Sequence, residues 1–161
     1  MSRKRTRRAV RPTHNPFVIA RNQATLLTSE ERAKVMTPLG AAAARMRRGQ
    51  ASDNDWAVLT GSLLMAQSIE KQGVVRGLAG HLDGVDRALV AIEARATRAG
   101  PWRSPTLHFH ELDAIHLLLD LYQFQLEQLS YGEFRRAYEA TEARVRSSGG
   151  QLVRPSEVAA C

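Results

Sequence analysis

The feature that most constrains this chain is a series of apolar side chains spaced for a helix. Leu78, Leu82, Val85, Leu89, Ile92 and Ala96 follow one another at intervals of four, three, four, three and four residues. At about 3.6 residues per turn this spacing holds all six on one side of a helix for roughly five turns. That side must be covered by other apolar surface. A second stripe makes the same demand: Leu112, Ile115, Leu119, Tyr122, Leu126 and Leu129, widened by Leu118, Leu121 and Phe124. No alternating apolar and polar run of useful length predicts a strand. Covering several helical stripes in one short chain predicts an all-α fold, an antiparallel bundle of four or five helices.

Local signals set the expected boundaries. Thr28 with Glu31, Ser52 with Asp55, and Ser130 with Glu133 have the spacing of capping boxes, in which a hydroxyl and a carboxylate satisfy backbone N–H groups at a helix start. The first box opens a helix that runs to Arg48 before Gly49. Thr37-Pro38 interrupts it, and the missing proline N–H predicts a kink or a second helix from Pro38. The second box opens a helix carrying Trp56, Leu59, Leu63 and Ala66 and ending at Gly73. Gly77, Gly80 and Gly84 weaken the next helix, and Gly100 to Pro105 forms the main loop. The last helix is expected to turn Phe134, Tyr138, Thr141 and Val145 inward and Arg135, Arg136, Arg144 and Arg146 outward.

Charge divides the chain unequally. Of 23 basic residues, seven fall between Met1 and Arg21, where no acid occurs, leaving 16 basic against 16 acidic groups in the remainder. The net charge of +7 is therefore carried by one end. Charge, Pro12, Pro16 and a scarcity of large apolar groups predict that residues 1–24 are a disordered arginine-rich arm. Residues 25–147 are the expected helical domain, and 148–161 a short flexible tail. Closely spaced guanidiniums neutralise consecutive phosphates and release counterions, so Arg3, Lys4, Arg5, Arg7, Arg8 and Arg11 are the candidate contacts to nucleic acid, bound without sequence preference.

Other chemistries find less support. The sole cysteine, Cys161, excludes an internal disulfide and a cysteine-based zinc site within one chain, and fits a reducing compartment. No stretch has signal-peptide or membrane-spanning character, so a soluble cytoplasmic protein is expected. His108, His110, Glu111, Asp113, His116 and Asp120 are the right residue types for metal or proton chemistry. Their spacing fails: a helical zinc motif needs histidines four apart, whereas His110 and His116 are six apart. His116 shares a face with Asp113 and Asp120, which fits a weak metal site or a partly buried histidine bonded to a carboxylate. No nucleophile elbow or phosphate loop occurs. No metal, cofactor or catalytic residue is expected. Trp56 is expected in the core, and Trp102 with Arg103, in the proline-rich loop, is the candidate contact to a protein partner.

The basic start from Arg3 to Pro16, the turn Arg48 to Asp55, Leu64-Met65-Ala66-Gln67-Ser68-Ile69 leading to Gln72-Gly73, and Glu111 to Ile115 followed by Leu121 to Leu126 together resemble small helical proteins encoded by phages, prophages and related mobile elements of proteobacteria. Pro38 and the histidines near Trp102 depart from that pattern. The resemblance implies a mobile-element origin in a bacterial host and no particular activity. The expected function is a non-enzymatic accessory or regulatory protein whose bundle binds a protein partner or itself while its arm touches nucleic acid. A host-directed inhibitor without nucleic-acid binding and a small metal-dependent hydrolase using His116 are the alternatives. The long stripes can close within one chain or across a homo-oligomer.

Overall fold

A computed structural model describes residues 15–147, which form six helices. These are α1 (Pro16–Ala24), α2 (Ser29–Arg47), α3 (Asp53–Gln72), α4 (Ala79–Ala96), α5 (Phe109–Gln128) and α6 (Tyr131–Ser147). The only bridge between extended residues, among those described, joins Leu26 and Ser130. Arg3, Lys4, Arg5, Arg7, Arg8, Arg11 and the segment 148–161 lie outside the described residues.

All three capping boxes form. The Glu31, Asp55 and Glu133 carboxylates accept from the backbone N–H of Thr28, Ser52 and Ser130 at 2.8, 2.9 and 2.8 Å. Gly73 closes α3 at a φ of 78°, a left-handed conformation that costs other residues a steric penalty. Pro38 does not divide α2, which is one continuous helix. Its ring is exposed, on a side where water can serve the carbonyl that lost its donor.

The count is six rather than four or five because residues assigned by composition to the arm form α1. Asn15 caps it by accepting from Phe17 N–H at 3.0 Å, and Pro16 supplies the fixed φ of a first helical position. Support comes from distant chain. Tyr131 N–H donates to the Thr25 carbonyl at 2.9 Å, and Leu27 N–H to the Leu129 carbonyl at 3.0 Å. Gly132 permits the approach, since a Cβ there would sit 3.0 Å from the Gln23 carbonyl oxygen.

The core gathers around α3, which touches α2, α4, α5 and α6. Leu59, Leu63, Ala66 and Ile69 meet the α4 stripe Leu82, Val85, Leu89 and Ile92, all buried as their spacing requires. Ile115, Leu118, Tyr122 and Leu126 fill the α5 side. Phe124 does not join them: two residues on from Tyr122, roughly 200° around the helix, it is exposed. Three polar contacts pin the core. The Gln125 amide donates to the Ala66 carbonyl at 3.0 Å, the Thr141 hydroxyl lies 2.8 Å from that of Ser68, and Arg144 donates to the Gln67 side chain at 3.1 Å. Residue numbers fall along α3 as they rise along α6, so these two helices run in opposite senses.

Candidate protein-docking face

Trp102 folds back over the body of the chain. Its ring stacks on Trp56 with centroids 5.3 Å apart, and its indole N–H donates to the Ala51 carbonyl at 2.9 Å. Ala51 N–H in turn donates to the Ser104 hydroxyl at 3.2 Å. The proline-rich loop is thus fastened to the connection between α2 and α3, and Trp102 is half-buried there. Arg103 remains exposed, while its backbone N–H donates to the Ala96 carbonyl at the end of α4.

The histidine and carboxylate cluster resolves into a structural pair and exposed rings. Glu111, fully buried, accepts from both terminal nitrogens of Arg95 at 2.7 and 2.5 Å and from His108 N–H at 2.8 Å. Burial pushes the Glu111 carboxyl up, but the hydrogen bonds from Arg95 and His108 and their nearby positive charge outweigh it and hold the pKa below its ordinary value. Arg45 fixes Asp55 at the start of α3, donating from Nε and one terminal nitrogen to a single carboxylate oxygen. The hydrogen bond from Arg45 chiefly holds that carboxyl well below the usual carboxylate range. The His108 and His110 rings stack 5.7 Å apart, and His116 is exposed rather than partly buried. Among the described residues no three His, Cys, Asp or Glu side chains converge to hold a metal.

A cleft of about 370 Å³ between α2 and α5 is lined by Gly40, Ala43, Ala44, Arg47, Arg48, His116 and Leu119. Two arginines and a histidine favour an anion there. The carbonyl end of α2 and the carboxylates of Asp113 and Asp120, one turn either side of His116, oppose it. This cleft is electrostatically mixed rather than a phosphate cradle.

Exposed aromatic and aliphatic side chains gather on α1 and α6, which pack together. No residue of α1 is buried, and Phe17 is 83% exposed beside exposed Val18 and Ile19. On α6, Tyr131 and Tyr138 are exposed, and with Phe134, Arg135, Glu139 and Glu142 they line a shallow concavity of about 410 Å³. Tyr138 was expected inward. It follows Ala137, which is fully buried, so its side chain turns by roughly 100° away from the core. Arg135 pairs with Glu139 at 2.8 Å and Arg146 with Glu142 at 2.7 Å along this face. The overlooked signal was a second stripe, Tyr131, Arg135, Tyr138 and Glu142, running beside the inward Ala137 and Thr141 on the same helix. For α1 the signal was Asn15-Pro16, a cap followed by a favoured first residue.

No protein-family model, curated protein or solved structure matches the chain. No described helix is long and apolar enough to cross a membrane.

Proposed function

We propose that this chain is a non-enzymatic binding protein, a mobile-element accessory or regulatory factor. In this reading its antiparallel helical bundle engages protein through the face of α1 and α6, while Arg3, Lys4, Arg5, Arg7, Arg8 and Arg11 contact nucleic acid without sequence preference. One observation carries the protein-binding part: α1 is a nine-residue helix that displays Phe17, Val18 and Ile19 and buries none of its residues. Helices that short are marginal in water unless packed, and grouped exposed apolar side chains mark interaction surfaces. The nucleic-acid part rests on six cations within nine residues, ending shortly before α1. The mobile-element assignment rests on the resemblance of the helix-packing segments.

Two measurements test the reading. Full-length protein should bind labelled duplex and single-stranded nucleic acid with a log–log salt slope approaching about −5, and removal of residues 1–14 should abolish that binding. No binding at moderate salt removes the nucleic-acid role and leaves a purely protein-binding adaptor. For the face, Tyr138→p-benzoylphenylalanine should give photo-crosslinked adducts in the producing cell, and the same probe at the exposed Arg98 should give fewer. Equal yields at the two positions would remove the docking role.

A further inference from the structure

Resting on that docking role, we infer that the occupant of the α6 face is a second copy of this chain. The two α6 helices lie side by side in opposite directions, about a two-fold axis passing between Tyr138 and Glu139. The arrangement of charge carries the inference. Arg135 and Glu142 stand equally far on either side of this midpoint, each about 5 Å along the helix at 1.5 Å per residue. Across the axis, Arg135 of each copy therefore faces Glu142 of the other. Tyr131 and Arg146 are likewise equidistant, at about 11 Å, so the guanidinium of one copy reaches the ring of the other and makes a cation–π contact.

A two-fold interface requires every group and its complement to lie on the same surface, and this short helix face carries both for each pair. The opposite arrangement, two parallel α6 helices in register, sets Arg135 against Arg135 and Glu142 against Glu142. Arg135, Glu139, Glu142 and Arg146 sum to zero charge, so two such faces approach without net repulsion. The internal pairs Arg135–Glu139 and Arg146–Glu142 hold the long charged side chains along the strip. Tyr131, Phe134 and Tyr138 are left as its apolar contact surface. No comparable pairing about one midpoint exists at the Arg47, Arg48 and His116 cleft, whose lining comes from two different helices.

The test uses the full chain in analytical ultracentrifugation. Wild type should form a concentration-dependent dimer. Arg135→Glu and Glu142→Arg should each weaken self-association by about tenfold or more, since each places like charges opposite each other twice. An equimolar mixture of the two variants should restore association to within about threefold of wild type, because only the mixed dimer sets opposite charges across the axis at both positions. Circular dichroism should show unchanged helix content, as both side chains lie on the surface. A wild type that stays monomeric, or a mixture no stronger than either variant alone, overturns the inference. A monomeric wild type whose position 138 crosslinks to a different protein overturns self-association alone and keeps the docking role. A monomer without preferential crosslinking overturns both.

Discussion

Two regions of the molecule use the same kinds of side chain to opposite ends. Around the α2–α3 connection and the junction of α4 with α5, tryptophan, arginine and carboxylate are spent on one another. Trp102 stacks on Trp56, Arg45 holds Asp55, and Arg95 holds a fully buried Glu111. On α1 and α6, aromatic and aliphatic groups face outward, and each ion pair joins residues four apart on one helix. Composition does not separate the two. What separates them is where the partner comes from: another part of the chain in the first region, and, along the exposed strip from Tyr131 to Arg146, a residue one turn away on the same helix. A buried pair carries a large penalty when broken, because one charge is left dry, whereas an exposed pair exchanges its partner for water.

The comparison is broken most severely at Arg95. Arg95→Ala leaves the Glu111 carboxylate buried without its guanidinium and should cost about 3–5 kcal/mol in urea unfolding. If Arg135→Ala costs as much, the distinction between the regions fails, since loss of an exposed i, i+4 pair should change stability by no more than about 0.5 kcal/mol. Trp102→Ala comes next. Loss of its stacking on Trp56 and its bond to Ala51 should cost about 2–3 kcal/mol, against about 0.5 kcal/mol or less for Tyr138→Ala.

Acid sharpens the contrast further. Asp55 and Glu111 both have folded pKa values below their unfolded ones. Their contribution is therefore complete above the unfolded carboxyl range near 4 and is lost as pH falls through the lower folded values. Thermal melts taken downward from neutral pH should show this loss in wild type and a shallower one in Asp55→Asn. A smaller effect than at Arg95 or Trp102 belongs to Ser130, whose hydroxyl accepts from Glu133 N–H at 3.4 Å. Ser130→Ala should cost about 1 kcal/mol, measured by the same urea unfolding.

Much of the fold was legible because its signals are local. A capping box spans four residues and a helical stripe repeats every three or four, so Thr28, Ser52 and Ser130 located helix starts. Leu82, Val85, Leu89 and Ile92 likewise identified a buried face. α1 was missed because the prolines and charges around it outweighed a single Asn-Pro cap, and its support arrives from the start of α6. The candidate site was less legible still. Trp102 and Tyr138 look alike in sequence as aromatic residues among arginines, yet one is stacked inside the chain and the other exposed.

The sequence by itself determined five of the six helical segments, where most of them begin, and that excess positive charge is gathered toward one end of the chain. These follow from interactions within a few residues of each other and from simple counting. Only the tertiary structure decided which aromatic groups are covered, because the partners lie far along the chain. Trp102 meets Ala51 across 51 residues, and Thr141 meets Ser68 across 73. Helical periodicity says that a face must be covered, but it carries no information about what covers it. Tyr131 and Tyr138 are about half covered by the described fold, and the other half of each faces outward.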